Sequence, residues 1–372
     1  MNDIFPELEG LEQIRTPALL FIEERIEANI KLMLTMVGGG PARLRPHVKT
    51  HKTPEIVSMQ MREGITKFKA STLAEAELCA ARGAKDVLIA YPLQGPAISE
   101  LLRLRQVFKN TTFSMLVDSE ESLPQIKTAV KGCAQSLDVF LDIDCGMQRT
   151  GITPDARAMK LYGELHGMDW INLRGLHAYD GHLHDPDTAQ RSLQCEEAFS
   201  PVIELREKLE ASGMPVGALV AGGSPTFATH ASHPDRECSP GTTILWDFGY
   251  GERHPELGFQ CAAFLLTRVV SKPAQGRICL DLGHKSVAPE MPHPRVRLQG
   301  LEEAAVLMHS EEHLVLQPQD CFDMAMGSPI LGVPRHVCPT VSMHNQAIPY
   351  RKGKPGAPWK IAARGRDYAP AQ

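Results

Sequence analysis

The sequence predicts an α/β protein in which a (β/α)8 barrel is followed by a C-terminal antiparallel β-domain. Between about residues 16 and 232, short apolar runs of strand length alternate eight times with helical stretches. Short buried strands separated by helices are typical of a parallel sheet, and eight repeats are the number found in a (β/α)8 barrel. After Pro240-Gly241-Thr242, strand-like runs continue without helical periods. The number of repeats alone leaves a doubly wound sheet open as an alternative.

Each predicted element follows from its hydrophobic pattern and its end signals. The first strand is the apolar run 16–22, and the Ala- and Glu-rich helix that begins at residue 73 stops at Gly83, as helices commonly do at glycine. The predicted strands are 16–22, 43–50, 67–71, 87–91, 113–117, 139–144, 173–179 and 218–221. The predicted helices are 23–36, 54–63, 73–82, 98–108, one that ends at 130, 154–166, 186–212 and a short last one.

The chain is accordingly expected to form two domains. Residues 16–249 would form the barrel, and residues 250–372, together with 1–15, would form the β-domain. The later domain has its strand-like runs at 264–270, 277–281, 305–308 and 313–316, joined by turns rich in proline and glycine.

Composition excludes several classes of function. The 372 residues carry a net charge of −5, with 43% hydrophobic and 22% charged residues, and the sequence pI is near 6.3. This acidic balance argues against nucleic-acid and anionic-membrane partners. No apolar run of transmembrane length and no secretory signal pattern occurs. Nine scattered cysteines suit a reducing compartment, so we expect a cytoplasmic protein.

The basic stretch 43–52 is the strongest local candidate for a functional surface. Read as a strand, it places Arg43, Arg45, His47, Lys49 and His51 on one face and the apolar residues on the other. That face could bind an anionic cofactor, and Lys49 could form a Schiff base with a carbonyl group. The alternative is a solvated edge strand whose charges deter aggregation.

Two further candidates follow predicted strands, where the functional residues of a (β/α)8 barrel gather. Gly222-Gly223-Ser224-Pro225-Thr226 follows the eighth strand, and its glycines, hydroxyls and backbone N–H groups suit a phosphate. A plain turn is the alternative there. Arg149 lies in a glycine-bracketed turn after the sixth strand, where it could equally pair with a neighbouring aspartate. Tyr179 and His182 fall at the end of the seventh strand.

The metal-binding candidate is His336-Val337-Cys338 in the second domain. On an extended segment, side chains at i and i+2 point the same way, so the imidazole and the thiolate could bind one divalent metal. Water or substrate would fill the remaining positions. For the pair taken alone, the absence of any ligand is the favoured interpretation.

Together these residues resemble the fold-type III pyridoxal-phosphate enzymes, the alanine-racemase-like barrel class. Within that class the chain is similar to the metal-dependent D-threonine aldolase and D-serine dehydratase branch. The matching segments occur in order and span most of the chain: 16–20, 45–52, 142–151, 179–182, 222–226, 240–242, 281–285, 310–313 and 336–341. The phosphate loop departs from the pattern, since it reads Gly-Gly-Ser where a third glycine is common.

The resemblance implies a barrel that binds pyridoxal 5'-phosphate, a C-terminal β-domain and a homodimer. It makes Lys49 the Schiff-base lysine and places Arg149 at the phenolic oxygen of the cofactor. The 222–226 loop would hold the phosphate. The cofactor contacts implied in this way are Lys49, Arg149, Tyr179, Gly222, Gly223, Ser224 and Thr226.

The resemblance also implies that His336 and Cys338 bind a divalent metal, Mn²⁺ or Zn²⁺. The cysteine biases the pair towards softer ions such as Zn²⁺. By residue type, His47, His51 and His182 are candidate proton carriers for catalysis beside the lysine.

The expected function is a lyase that cleaves D-3-hydroxy amino acids, D-threonine first, to glycine and an aldehyde. A dehydratase acting on D-serine or 3-hydroxyaspartate is the alternative, because it would use the same groups. A non-catalytic cofactor-binding barrel would have no use for His336 and Cys338. A racemase would need an acid–base tyrosine from the second domain, where the late tyrosines, Tyr350 and Tyr368, lie outside any such motif.

Overall fold

The computed structural model describes residues 4–131, 136–319 and 324–366, which fall into two units, each built on its own sheet. The barrel unit comprises Met33–Lys49, Val57–Gly241 and, of the described residues at the C-terminal end, 365–366. The mixed-sheet unit comprises residues 4–32, Thr50–Ile56 and Thr242–Arg364. Each unit is therefore assembled from segments that are distant in the sequence.

The strands and helices have the following bounds. The strands are β1 (Ala18–Ile22), β2 (Lys67–Ala70), β3 (Asp86–Ile89), β4 (Thr112–Val117), β5 (Leu137–Ile143), β6 (Ile171–Ala178), β7 (Ala218–Ala221), β8 (Arg236–Cys238), β9 (Ala263–Ser271), β10 (Ile278–Leu280), β11 (Val296–Leu298), β12 (Ala305–His309), β13 (Leu314–Gln317), β14 (Pro329–Pro334), β15 (Gln346–Arg351), β16 (Lys354–Pro355) and β17 (Trp359–Lys360). The α-helices are α1 (Glu23–Met36), α2 (Pro54–Arg62), α3 (Leu73–Ala81), α4 (Pro96–Val107), α5 (Leu123–Val130), α6 (Ala156–His166), α7 (Thr188–Ala211), α8 (Phe227–Ala231), α9 (Phe248–Arg253) and α10 (Val337–Met343).

Parallel strands of the barrel unit pair in chain order from β2 to β8, with helices α3 to α8 between them. Residues 44–48 lie between the two end strands of this sheet. There the Arg45 N donates to the Cys238 O, and the Val48 N donates to the Lys69 O, both at 2.9 Å. The parallel array thus continues from β8 through this segment back to β2, as the predicted (β/α)8 barrel fold requires.

One predicted barrel strand belongs to the other unit, and one strand of the barrel was not predicted. The run 16–22 forms β1 of the mixed-sheet unit, where it pairs with β9 and β15. The strand that completes the barrel instead is β8, Arg236–Cys238. Two of its three residues are charged, so it has no hydrophobic pattern for sequence reasoning to detect. The predicted count of eight holds because the two errors offset each other.

A layer of paired charges occupies the interior of the barrel unit near the start of its strands. The Arg45 side chain is 1% exposed and donates to Asp86 at 2.5 Å and to Glu237 at 2.9 Å. Lys67 pairs with Glu237, and Arg174 pairs with Asp86 at 3.3 Å. Buried cations are tolerated when carboxylates compensate them. The solvated-edge alternative for the basic stretch is therefore wrong.

An apolar cluster of Leu88, Leu116, Phe140 and Val220 forms the next interior layer. Leu88 stands two residues after Asp86 and therefore faces the same side of the strand, since alternate residues of a strand share a face. This cluster separates the paired charges from the ends of the strands, where the candidate site residues lie.

The mixed-sheet unit has β9 at its centre, antiparallel to β1, β10 and β14. The predicted strands at 264–270, 277–281, 305–308 and 313–316 are confirmed as β9, β10, β12 and β13. The sheet is mixed rather than purely antiparallel, since β1 and β15 pair in parallel. Strand β14 was not predicted because it begins and ends with proline, which argues against an internal strand.

Side-chain caps fix the starts of two predicted barrel helices. The Asp155 carboxylate accepts from the Arg157 N, and the Asp187 carboxylate accepts from the Gln190 N, each at 2.8 Å. Such caps satisfy N–H groups that lack a partner inside the helix. The helices predicted at 154–166 and 186–212 are confirmed as α6 and α7. Within the described ranges, none of the helices combines the length and the apolar character that crossing a membrane requires.

Candidate active site

Three cationic side chains of the barrel unit surround the ring of Tyr179. The distance to the ring centroid is 5.7 Å from the Lys49 Nζ, 5.5 Å from the Lys69 Nζ and 5.1 Å from the Arg149 Cζ. Tyr179 follows β6, Arg149 lies in the loop after β5, and Lys49 follows the 44–48 segment. The predicted residues Lys49, Arg149 and Tyr179 are thus brought together, and Lys69 of β2 joins them without having been predicted.

These cations lack the compensation that the interior layer has. Among the described residues, no carboxylate forms an ion pair with Lys49, Lys69 or Arg149. Burial, followed by the positive charge of Lys49, lowers the pKa of Lys69 to about 7. A cluster of uncompensated positive charge suits an anionic ligand.

The loop after β7 brings its backbone close to the same tyrosine. Gly222 has a φ of 70°, and a Cβ at this position would lie 2.2 Å from the ring of a buried histidine. A Cβ at Gly223 would lie 2.9 Å from the Tyr179 ring. Glycine is therefore needed at both positions. Ser224 Oγ accepts a hydrogen bond from the Gly241 N at 3.2 Å, which ties the loop to the residues after β8.

A chain of buried hydrogen bonds supports this loop. The Thr226 Oγ1 donates to the Asp180 Oδ1 at 2.9 Å, and the His230 Nε2 lies 2.8 Å from the Asp180 Oδ2. The His230 Nδ1 accepts from the Arg236 guanidinium at 3.0 Å. Because a guanidinium can only donate, the ring proton of His230 is on Nε2, which donates to Asp180. The hydrogen bond from Thr226 thereby anchors the loop to the buried Asp180.

Asp180, Cys195 and His230 are also close enough to one another to be considered as metal ligands. The Cys195 Sγ lies 3.4 Å from the His230 Nε2. A ligand atom must offer a lone pair, however, and this nitrogen carries a proton while Arg236 donates to the other one. Burial also raises the pKa of the Cys195 thiol, which disfavours the thiolate. The contacts of these three residues therefore favour a role in supporting the 222–226 loop over metal binding.

Two of the three predicted proton carriers lie in the barrel unit. The His47 Nδ1 accepts from the backbone N–H of Lys49 at 3.3 Å. His182 lies against Gly146 of the Arg149 loop, and its Nδ1 is buried without a hydrogen-bond partner in the described part of the chain. A buried ring nitrogen without a partner is available for a hydrogen bond to an atom of a bound ligand.

The third predicted proton carrier, His51, belongs to the mixed-sheet unit. Its Nδ1 accepts from the Thr53 N at 3.1 Å. Burial, followed by the charge of Lys52, lowers the pKa of His51 to about 3. This environment suits a neutral imidazole that orders the local backbone, because a proton carrier needs a pKa near the working pH.

The barrel unit contains a further buried histidine that sequence reasoning did not select. The His177 Nδ1 lies 2.6 Å from the Asp142 Oδ1. Burial lowers the pKa of His177, although the hydrogen bond to Asp142 acts in the opposite direction. The imidazole is thus neutral and donates its proton to Asp142, which leaves its buried Nε2 as an acceptor without a partner among the described residues.

The metal candidate lies in the mixed-sheet unit at the start of α10. His336 is the N-cap residue and Cys338 lies in the first turn, so the extended segment that we predicted is wrong. Pro339 favours the helix because proline fits the first turn, where its missing N–H has no partner to lose. Although burial acts to lower it, the pKa of His336 is raised to about 9 by a hydrogen bond to the Cys338 side chain and by its charge.

Both side chains of this pair have polar support. The His336 Nδ1 lies 2.5 Å from Glu290 Oε1, and metal-binding histidines commonly donate one ring N–H to a carboxylate in this way. The Cys338 Sγ lies 3.2 Å from the Thr50 Oγ1 and 3.4 Å from the Thr242 Oγ1. Either the hydroxyl or the thiol could donate in each contact, and a hydroxyl that donates stabilises the thiolate, the form that binds metals. The residues present therefore fit a divalent metal.

Asp247 positions the metal candidate. Its Oδ1 accepts from the Tyr250 N at 2.8 Å as the cap of α9, and its Oδ2 accepts from the Val337 N at 3.0 Å. Val337 stands between His336 and Cys338, so one buried carboxylate fixes the backbone from which both side chains project.

We expect the Asp247→Ala variant to bind Zn²⁺ about 10- to 100-fold more weakly than the wild-type protein. The Val337 N–H would lose its partner, and His336 and Cys338 would lose their common support. Competition with a chromogenic chelator measures the affinity. Asp281→Ala is the matched control, because Asp281 accepts from Thr267 and Arg268 in the same unit and does not contact the metal candidate. Equal Zn²⁺ affinities of Asp247→Ala and the wild-type protein would contradict this role.

Sequence reasoning missed several residues of these sites. The sequence did contain a signal for Lys69: Lys67 and Lys69 are two cations on the same side of a strand that is buried on both faces. Asp180, His230 and Asp247 had none, because their partners lie 46, 50 and 90 residues away in the sequence.

Two family descriptions match the chain in succession. Residues 23–247 match the N-terminal domain of alanine racemase, and residues 262–349 match a serine dehydratase domain. The chain is 30% identical to D-threonine aldolase of Arthrobacter sp. over 96% of this chain and 94% of that protein. It is 26% identical to 3-hydroxy-D-aspartate aldolase of Paracoccus denitrificans over 98% of this chain and 96% of that protein.

Solved structures show the same fold. The D-threonine aldolase from Filomicrobium marinum superposes with a TM-score of 0.86 at 25% identity, covering 98% of this chain and all of that chain (100%). The D-threo-3-hydroxyaspartate dehydratase from Delftia sp. superposes with a TM-score of 0.82 at 22% identity, covering 94% and 98%. Aldolases and dehydratases thus share the architecture described above.

Proposed function

We propose that this chain, which belongs to the lyase branch of the alanine-racemase-like, fold-type III family, cleaves D-3-hydroxy amino acids to glycine and an aldehyde. Pyridoxal 5'-phosphate and a divalent metal would be its cofactors. The observation that carries the proposal is the cluster of uncompensated cations around Tyr179, beside the glycine loop that follows β7. The family comparison supports a lyase, and the choice of reaction is our own inference.

The residues of the barrel unit fit the cofactor by charge and by shape. Lys49 would bind the aldehyde, and Arg149 would hold the phenolic oxygen. Gly222, Gly223, Ser224 and Thr226 would form the phosphate cradle, with Tyr179 against the ring. Bound pyridoxal phosphate supplies an electron sink for the cleavage of a bond at the substrate α-carbon.

The residues of the mixed-sheet unit would supply the metal. His336 would bind through the imidazole nitrogen that does not face Glu290, and Cys338 through its sulfur. The ion would act as a Lewis acid for the substrate β-hydroxyl. A D-threo-3-hydroxyaspartate dehydratase has been solved with a histidine replaced, and in a metal-free form with a cysteine two residues further on replaced. That spacing is the spacing of His336 and Cys338.

The two candidate reactions differ in the first proton that a side chain removes. In an aldolase, a base such as His182 or His47 takes the proton of the β-hydroxyl, and the Cα–Cβ bond breaks. In a dehydratase, Lys49 takes the α-proton, and the hydroxyl leaves. Dehydration of D-serine or 3-hydroxyaspartate is therefore the second candidate, favoured by the match of residues 262–349 to a serine dehydratase domain.

Racemization fits the structure less well. Tyr350 is buried, and its hydroxyl donates to the Glu9 O at 3.1 Å, so it is committed to a structural contact. Tyr368 lies outside the described residues. The proposal otherwise keeps the homodimer and the cytoplasmic location expected from the sequence, and sedimentation of the purified protein tests the first of these.

The products formed from D-threonine, D-serine and the 3-hydroxyaspartate isomers test the proposed reaction. We expect glycine and acetaldehyde from D-threonine, and no turnover of L-threonine because the lysine and the metal address one configuration. Ammonia and 2-oxo acid as the main products would make the protein a dehydratase. Absence of turnover with every D-3-hydroxy amino acid would contradict the proposed function altogether.

A further inference from the structure

Lys69 is a buried cation that the proposed function does not yet use. Its side chain lies on the interior face of β2 and is 2% exposed. In the described part of the chain its Nζ makes no hydrogen bond or ion pair, and it lies 5.5 Å from the centroid of the Tyr179 ring. Leaving an amine buried without a partner is costly, so a ligand group that compensates it is to be expected.

The order of the strands places Lys69 on a defined side of Lys49. The 44–48 segment that leads to Lys49 lies between β8 and β2. The proposed phosphate loop leaves β7 and is tied by Ser224 to Gly241, just after β8. The phosphate would therefore lie on the β8 side of Lys49, whereas Lys69 lies on the β2 side.

The chemistry of the cofactor indicates what meets Lys69. On the pyridine ring, the carbon that bears the aldehyde stands between the carbon with the phosphate arm and the carbon with the phenolic oxygen. With the aldehyde at Lys49 and the phosphate on the β8 side, the phenolic oxygen falls on the β2 side. Arg149, which the family resemblance places at this oxygen, approaches the same Tyr179 ring as Lys69.

We propose that Lys69 is a further cofactor-binding residue, whose ammonium group compensates the phenolic oxygen of pyridoxal phosphate together with Arg149. This inference rests on the proposed cofactor.

Several charged groups face Lys69 and decide its protonation. Burial and the charges of Lys49 and Arg45 favour the neutral amine, while Asp142 and Asp180 favour the ammonium form. The net result is a pKa of about 7. The neighbouring His177 is neutral, and Arg149 adds positive charge to the cluster.

An anionic oxygen beside Lys69 raises the pKa of the amine when the cofactor binds. A group whose pKa rises on binding contributes affinity fully below its free pKa, here about 7, and this contribution is lost as the pH rises through the bound pKa. The contribution of Lys69 should therefore be largest below pH 7 and fall in alkaline solution.

The test compares pyridoxal phosphate binding by the wild-type protein, Lys69→Met and Lys69→Arg, titrated by absorbance between about pH 6 and 9.5. We expect Lys69→Met to bind about tenfold more weakly at the acid end, with the difference shrinking towards the alkaline end. Lys69→Arg should keep the affinity and lose this pH dependence, because arginine does not titrate in this range. Lys67→Met is the matched control, since it removes a cation from the same face of β2 that is paired with Glu237.

Pyridoxal, which lacks the phosphate, separates the two anionic groups of the cofactor. We expect the ratio of the Lys69→Met to wild-type dissociation constants to persist with pyridoxal. A ratio that falls to one with pyridoxal would place Lys69 at the phosphate and overturn the assignment. Equal pyridoxal phosphate binding by the wild-type protein and Lys69→Met at every pH would also overturn it, while leaving the proposed function intact. Failure of the wild-type protein to bind the cofactor would instead contradict the proposed function, and the inference with it.

Discussion

Lys49→Ala is expected to give a colourless protein with activity reduced by about four orders of magnitude or more. The wild-type protein should be yellow when purified with its cofactor, because Lys49 would bind the aldehyde covalently. Its position after the 44–48 segment, 5.7 Å from the Tyr179 ring centroid, motivates this assignment. Visible absorbance and the rate of D-threonine cleavage are the measurements.

Borohydride reduction followed by peptide mapping identifies the lysine directly. Lys49 should carry the label. Lys285→Ala is a suitable control, because Lys285 is an exposed lysine paired with Glu311 at 2.5 Å and should leave colour and rate unchanged. Label on Lys52, Lys69 or Lys285 instead would show that Lys49 is assigned wrongly.

The His336→Ala/Cys338→Ala double variant is expected to lose tight metal binding and nearly all lyase activity, by about three orders of magnitude. Both proposed protein ligands would be gone, and the substrate hydroxyl would lose its Lewis acid. The yellow colour should remain, because the cofactor contacts belong to the barrel unit and the metal pair belongs to the mixed-sheet unit. Bound zinc by elemental analysis, visible absorbance and rate are measured together.

Chelation of the wild-type protein should reproduce this loss, and Mn²⁺ or Zn²⁺ should restore the rate. The matched control is His344→Ala/Cys279→Ala, which removes a histidine and a cysteine of the same unit that contact the Ser286 O and the Leu280 O. That variant should keep its metal. Full activity of the His336/Cys338 variant in the presence of chelator would exclude the metal site.

Local pattern was sufficient where a residue's neighbours in sequence decide its environment. The confirmed helices α6 and α7 each begin directly after a capping aspartate, and β9 is a long apolar run. Pattern failed for β8, in which two of the three residues, Arg236 and Glu237, are charged, and for β1, an apolar strand that pairs with β9 and β15 rather than in the barrel. Hydrophobicity indicates that a strand is buried, but it does not specify which sheet receives it.

The same limit applies to the site. Order and spacing of motifs were enough to select Lys49, Arg149, Tyr179 and the 222–226 loop, which the structure brings to one end of the barrel strands. Spacing was misleading for His336 and Cys338, since the helix that begins at Val337 replaces the expected extended segment.

The sequence by itself determined the alternating α/β pattern, the change of pattern after residue 241 and the identity of the chemically distinctive side chains. Only the tertiary structure decided which charges are compensated. Arg45 and Lys69 lie on neighbouring segments of the same interior, yet Arg45 meets Asp86 and Glu237 while Lys69 meets no carboxylate among the described residues. The physical reason is that compensation depends on partners 41 and 192 residues away in sequence, and strand register alone brings them within hydrogen-bonding distance.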